Sequence, residues 1–260
     1  MTVVRGYPPG SFCWIELATT NAPDAKRFYA ALFGWEFQDI PLAPGLVYTT
    51  FRIGSGSIGS ICQVSQPEAG RGESPHWLSY ISVTSLPDTI ERAVSLGARI
   101  VRGPMDVSDL GRTVVIQDPE GARFALWQPG RHIGADAARE PGAVAWNELA
   151  SHDSARASAF YAALFGWTPR ISAEEEMGLY TEMLNGAVPA CGILPMPEEW
   201  GVPPFWLGYF AVGDCDAVAD KAVALGGSVE SDPRNIPGVG RHAVIADPQL
   251  AVFAIIQFSH

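Results

Sequence analysis

The chain has 260 residues, 47% apolar and 17% charged, with a formal net charge of −11. That composition is too apolar for a disordered chain. The excess negative charge disfavours nucleic acid and anionic membranes as partners, and no apolar run approaches the ~20 residues of a membrane span.

In chain order, the opening MTVVRGYPPGSF lacks the apolar core of a signal peptide, so a cytoplasmic protein is expected. Trp14-Ile15-Glu16-Leu17 alternates and reads as a strand. Asn21 can cap a helix, with Pro23 in the first turn and Asp24 near its positive end. Ala25, Phe28, Tyr29 and Leu32 then form one apolar stripe, and Gly34 stops the helix. Strands are expected near 36–40, 47–53 and 57–64, with Gly54-Ser55-Gly56 as a hairpin turn. A strand at 77–83 leads to a helix near 86–96 closed by Gly97. Strands near 99–102, 112–117 and 123–128 follow, the last two joined by Asp118-Pro119-Glu120-Gly121.

After this point the pattern restarts. Residues 9–35 and 141–167 align at an offset of 132 with 15 of 27 positions identical, both ending FYAALFGW. Residues 75–130 and 204–259 align at 129, with 20 of 56 identical. The change of offset places a three-residue deletion in a loop near 65–75. The sequence therefore predicts two homologous domains, 1–130 and 141–260, joined by a linker at 131–140, RHIGADAARE. Helices of the second copy are expected near 154–165 and 215–225. Leu250 replaces the turn glycine Gly121, so a left-handed turn there carries a cost. The four cysteines form no CxxC pair and read as small buried hydrophobes, while eight tryptophans hint at an aromatic-lined cavity.

Paired βαβββ units, a first helix ending FYAALFGW and a last hairpin opened by DPEG resemble the vicinal oxygen chelate superfamily. That superfamily includes glyoxalases, extradiol dioxygenases, fosfomycin-resistance enzymes and bleomycin-binding proteins. The resemblance spans nearly the whole chain twice, and is nearest to two-domain actinobacterial glyoxalase-like proteins, some linked to polyketide pathways. It implies an α+β fold of two tandem glyoxalase-like domains, each a pair of βαβββ modules forming a cupped mixed sheet around a ligand. The metal enzymes of the superfamily place ligands at positions that here are Trp14, Leu78 and Ala125, and in the repeat Trp146, Leu207 and Ala254. None of these side chains can donate a lone pair to a divalent cation, so no metal and no other cofactor is expected. His76, on the strand face of Leu78, is the best substitute ligand, and one His does not make a site.

If Ile15 and Leu17 pack on a helix, Trp14 and Glu16 face the cup, and so do Trp146 and Glu148 in the repeat. Leu78, Tyr80, Ala125 and Trp127 complete the first wall, and Leu207, Tyr209, Ala254 and Ile256 the second. Apolar walls with a few directed polar groups suit a small-molecule pocket. Glu16 with Tyr80, and Glu148 with Tyr209, are candidate acid/base pairs; the bland reading is that each Glu only ties the sheet together. Trp14 and Trp146 either stack on a planar ligand or fill the space left by the metal. Arg112 and Arg241 either clamp a ligand carboxylate or pair with Asp118 and Asp247. His76, His152 and His242 have no His counterpart in the other copy and read as ordinary surface or core residues.

These observations predict a cytoplasmic, metal-independent protein acting on a hydrophobic, aromatic small molecule, with no nucleic-acid or membrane partner, as monomer or homodimer. The resemblance suggests an isomerase, lyase or hydroxylation-helper role on a polyketide-type metabolite. Two alternatives stay open: a non-catalytic drug-binding protein of the bleomycin-resistance kind, and a metal-dependent glyoxalase-type lyase with relocated ligands. The first copy is expected to lie nearer the superfamily's pattern.

Overall fold

A computed structural model describes residues 4–43, 46–64, 74–138, 140–174 and 178–259. The chain forms four βαβββ modules. The first is β1 (Phe12–Thr19), α1 (Ala22–Phe33), β2 (Glu36–Ala43), β3 (Leu46–Ile53) and β4 (Gly56–Gln63). The second is β5 (His76–Ser82), α2 (Leu86–Ser95), β6 (Arg99–Val107), β7 (Gly111–Gln117) and β8 (Arg123–Pro129). The third is β9 (Val144–Ser151), α3 (Ser154–Phe165), β10 (Thr168–Glu174), β11 (Gly178–Asn185) and β12 (Val188–Pro195). The fourth is β13 (Phe205–Ala211), α4 (Cys215–Ala224), β14 (Ser228–Ile236), β15 (Gly240–Ala246) and β16 (Val252–Phe258).

Every expected element forms, but several strands outrun the apolar signal that marked them. β6 runs to Val107 rather than 102. It is solvent-exposed along nearly its whole length, so burial imposes no alternation on its sequence. Most of the loop assigned to the three-residue deletion, 65–73, lies outside the described residues. Helix starts follow the capping logic: Asn21 Oδ1 accepts from the Asp24 N–H at 3.2 Å, and Asp153 and Asp214 cap α3 and α4 in the same way.

Modules one and two build one eight-stranded sheet in the order β2-β3-β4-β1-β5-β8-β7-β6, and modules three and four repeat it as β10-β11-β12-β9-β13-β16-β15-β14. This is the α+β, tandem glyoxalase-like architecture. In each sheet the central first strand runs parallel to its own module's last strand and antiparallel to the next module's first. Alternation along these strands sends Ile15 and Leu17 to the helix side and Trp14 and Glu16 to the opposite, cupped side.

The two domains associate. Their helix-bearing faces share two cores. One joins Phe28, Tyr29 and Leu32 of α1 to Phe210, Phe253 and the buried face of α4. The other joins Leu86 and Ala93 of α2 to Phe160, Tyr161 and Leu164 of α3. Two buried latches cross the seam. Tyr29 donates to Asp247 at 3.0 Å, and Tyr161 donates to Asp118 at 2.8 Å. Each aspartate's other oxygen accepts backbone N–H groups of its own hairpin turn. Hydrogen bonds to a charged group contribute roughly 1.5–3 kcal/mol, so these tyrosines connect each domain's last hairpin to the other's first helix.

That arrangement accounts for half of the tryptophans. Trp35, Trp77, Trp167 and Trp206 belong to the shared cores, where Trp77 and Trp206 donate to the latch tyrosines at 3.3 and 3.0 Å. Trp200 is exposed. Only Trp14, Trp127 and Trp146 reach the cups, so the tryptophan count overstated the aromatic lining. The 131–140 segment is fastened to the first sheet: the Ala135 N–H donates to Cys13 O at 2.7 Å and the Asp136 N–H to Ser57 O at 2.8 Å. Leu250 does take the left-handed conformation, at φ +73°. Among the described residues, no helix is long and apolar enough to cross a membrane.

Candidate functional site

The first cup is centred on Glu16. Strand pairing sets it opposite Ser60 on β4 and Leu78 on β5, with Trp14, Tyr80, Val115, Ala125 and Trp127 on the same wall. Tyr80 donates to Glu16 Oε1 at 3.2 Å and Ser60 donates to Oε2 at 3.2 Å. The Trp14 indole N–H in turn donates to Ser60 at 3.0 Å. The Arg102 guanidinium lies 3.8 Å from Oε1. Glu16 is 8% exposed. Burial raises its carboxyl above the usual range, against the opposing pull of Arg102, Ser60, Tyr80 and His76. Burial and the neighbouring Glu16 push the Tyr80 hydroxyl well above its ordinary value, so it stays a donor.

The second cup repeats the plan with different parts. Glu148 faces Leu207 and Gly192 across its pairings. Tyr209 donates to its Oε1 at 2.8 Å. Gly192 stands where the first cup has Ser60, and a Cβ there would collide with the Tyr180 hydroxyl. Tyr180 takes over the missing role: it is hydrogen-bonded to Glu148 and accepts from the Trp146 indole at 3.1 Å. Glu148 is 9% exposed. Burial again raises its carboxyl, against Tyr209, Tyr180 and the more distant Arg234. Each cup therefore holds a carboxyl with a proton affinity shifted towards neutral pH, hydrogen-bonded by a tyrosine on an apolar wall. Chemically, such a pair can accept a proton from a bound molecule and steady an oxygen that gains charge.

Of the other residues singled out in the sequence, Leu78 and Leu207 line the walls as expected. His76 lies within electrostatic reach of Glu16, its Nδ1 at 2.8 Å from Ser74 O. Arg112 and Arg241 are not brought into the cups. They alternate with Thr113 and His242, so they leave from the other face. Their partners are not the hairpin aspartates either. Arg112 bonds Asp106 at 2.7 Å, and Arg241 bonds Asp216 through two nitrogens at 2.6 and 2.7 Å. Asp118 and Asp247 are already occupied by the latch tyrosines.

Several site residues, Ser60 and Arg234 among them, escaped the sequence reading. Tyr48 and Tyr180 share the offset of 132 that identified the repeat, so the signal was present; Tyr48 lies beside Ser60 and Trp14. His132 has its ring 4.6 Å from that of Trp14, edge to face, while Trp127 donates to its carbonyl at 2.9 Å. Nothing in a short charged segment signals that placement. Arg102 reaches Glu16 from an exposed strand with no periodicity to reveal it.

The superfamily's metal positions can be tested on this geometry. Trp14, Leu78 and Ala125 do converge on one wall, but indole, isobutyl and methyl groups offer no donor to a cation. Among the described residues no three His, Cys, Asp or Glu side chains gather at one point. The residues at those positions do not fit a metal ion.

A cavity of about 400 Å³ opens at the seam between the sheets, lined by Tyr7, Phe12, Cys13, Trp14, Trp146 and Asn185 among others. Its polar groups are engaged within the protein. The Tyr7 hydroxyl donates to Ala135 O at 2.9 Å, the Asn185 amide to Pro9 O at 2.9 Å, and Asn147 Oδ1 accepts from Ser79 at 2.7 Å. The carboxylate pairs do not border it.

Comparison with known proteins gives a consistent picture. The family model for the Glyoxalase/Bleomycin resistance protein/Dioxygenase superfamily matches residues 11–126, within the first copy. The chain is 39% identical over 255 residues to "Putative glyoxylase CFP32" of Mycobacterium tuberculosis, covering 96% of each chain. It is 33% identical over 265 residues to the anthracycline biosynthesis protein DnrV of Streptomyces peucetius, covering 96% of this chain and 94% of that one. Among solved structures, the Mn(II)-bound glyoxalase of Novosphingobium aromaticivorans superposes with a TM-score of 0.66 at 13% identity, over 96% of this chain and 82% of the other. At that identity the likeness concerns the fold.

Proposed function

The chain belongs to the Glyoxalase/Bleomycin resistance protein/Dioxygenase superfamily, and from that premise we propose that it is a metal-independent enzyme acting on an aromatic, polyketide-type ketone. The observation that carries this reading is the pair of buried carboxyls, Glu16 and Glu148, each bonded by a tyrosine where metal ligands would otherwise organise the cup. The polyketide link is supported by the likeness to DnrV, whose name places it in anthracycline biosynthesis.

In this mechanism the apolar wall receives the fused rings and excludes water. The carboxylate removes a proton from the carbon next to the ligand carbonyl. As the carboxyl takes up the proton it releases the tyrosine O–H, which burial keeps protonated and which turns to donate to the enolate oxygen as charge develops there. Return of the proton to another carbon completes an isomerisation with no net loss of atoms or electrons. The raised carboxyl suits this shuttle, because it is a stronger base than an ordinary carboxylate and takes up the proton more readily.

A non-catalytic binding role is the second reading. It is favoured by the hydroxyls already satisfying both carboxyls, which a purely structural pair would also show. The two separate in deuterium oxide. Metal-stripped protein is incubated with fused aromatic ketones such as 1-tetralone, and exchange at the carbon beside the carbonyl is followed by NMR. The enzyme reading expects catalysed exchange that a Glu→Gln change in the working cup, Glu148→Gln or Glu16→Gln, removes while ligand affinity remains. Binding without exchange in every case supports the binder, and exchange only after adding a divalent metal contradicts metal independence.

A further inference from the structure

We infer that the second cup recognises an oxygen acceptor of its ligand, a carbonyl of an aromatic ketone or quinone, through the Nδ1–H of His242. This deepens the function proposed above and rests on it. The sequence marked His242 only as an unmatched histidine. In the structure it is 3% exposed and alternates with Ala243 and Ile245, which belong to the helix-side core. His242 therefore lies on the cup face, as Val244 does against Leu207 and Tyr209. Its ring lies nearly parallel to that of Tyr209, at 23° and 6.1 Å between centroids.

The tautomer follows from one contact. Arg234 Nε donates to His242 Nε2 at 2.9 Å. A guanidinium has no lone pair to offer, so Nε2 must be the acceptor and the ring proton sits on Nδ1. Burial and the adjacent Arg234 charge also hold the imidazole neutral, its pKa lowered to about 4. The result is a fixed N–H donor, and that Nδ1 has no hydrogen-bond partner among the described residues although it is fully buried. A buried donor without an acceptor costs about 1–3 kcal/mol, a cost that a ligand acceptor removes. The equivalent position of the first cup, Thr113, also leaves its hydroxyl buried and unpartnered. Both domains thus keep an unpaired polar group at the same point of the cup wall, and only His242 has its donor role fixed by a neighbour. A cation would be repelled there by Arg234, whereas a carbonyl oxygen accepts the N–H and lets its rings lie on Tyr209 and Trp146.

The test uses the full chain and two matched probes, anthraquinone-2-sulfonate and anthracene-2-sulfonate, which differ by two ring carbonyls. Affinity is read by tryptophan quenching, and the imidazole by ¹⁵N NMR of histidine-labelled protein. The inference expects tighter binding of the quinone. It expects His242→Phe to weaken the quinone roughly tenfold, the equivalent of one neutral hydrogen bond, and to leave the anthracene unchanged. Thr113→Val should change neither. In the unmodified protein the Nδ1–H signal of His242 should move downfield with the quinone only, a readout that holds even if the variant folds poorly. Equal affinity for both probes with an unmoved Nδ1–H overturns this inference and leaves the aromatic-ligand reading standing. Binding of neither probe overturns both.

Discussion

The two cups share a sheet order and a carboxyl at the same register, yet they are finished differently. In the first, Trp14 is buried beneath the His132 ring and tied to Ser60, and Glu16 has Arg102 at 3.8 Å. In the second, Trp146 is half-buried, and among the described residues no ring packs on it. Serine gives way to Gly192 with Tyr180 moved in, and Arg234 is turned to His242 instead of the carboxyl. A duplicated cup can thus keep its backbone and its central carboxyl while one copy is closed by packing over its tryptophan and the other holds a buried imidazole whose donor is fixed by Arg234. On that contrast, the function proposed above is tested first in the second cup, with the first as its comparison.

Four outcomes would sharpen or break the contrast. The largest concerns Glu148→Gln and Glu16→Gln. Loss of a general base costs about 10²–10⁴ in rate, and the exchange assay should show that loss for Glu148 and little change for Glu16. Equal losses would make the cups equivalent. Next, Trp14→Ala should destabilise the protein by about 3–5 kcal/mol in urea unfolding, as a fully packed aromatic does. Trp146→Ala should cost less than half as much while abolishing quinone binding.

The pH dependence of stability also reports on the cups. Both glutamates bind their proton more tightly folded than unfolded. Their contribution is full below the usual carboxylate value and is lost as pH rises through the raised one. Urea midpoints of either Gln variant should therefore gain on the unmodified protein as pH climbs from about 4.3. His242 acts in the opposite direction, as does His132 beside Trp14 in the first cup, whose pKa burial also lowers. The unfolded chain takes up the His242 proton near 6.5 and the folded one only at about 4. Stability should fall between those values as pH drops, and His242→Phe should lack that part of the fall. The smallest effect is in the last hairpins. Leu250 is 73% exposed at φ +73°, so Leu250→Gly relieves strain without loss of packing. A gain of about 1 kcal/mol is expected, and Gly121→Leu should lose at least that.

Much of this was legible in the sequence because duplication writes each signal twice. Element order, helix caps and the inward direction of Glu16, Glu148, Tyr80 and Tyr209 follow from periodicity and the two offsets. The superfamily follows from FYAALFGW and the DPEG turn. What stayed hidden depends on contacts between distant segments. FYAALFGW reads as packing, and nothing local shows that its tyrosine crosses to the other domain's hairpin aspartate. Arg112 and Arg241 could be read as ligand clamps or as partners of Asp118 and Asp247, because a residue beside a cup-facing position gives no sign of its own face until the strand parity is fixed. Arg102 sits in a strand whose exposure leaves no pattern, and His132 in an irregular segment with no periodicity to read. His242 was visible only as a lone histidine, since its role depends on Arg234 across a strand pair.

The most direct test of the central claim is native mass spectrometry of the chain, purified without chelator and then exposed to anthraquinone-2-sulfonate. The account predicts a chain carrying no stoichiometric transition metal that takes up one quinone, and a His242→Phe variant that takes up markedly less. A chain that carries one or two metal ions, and binds the quinone only with them, would contradict it.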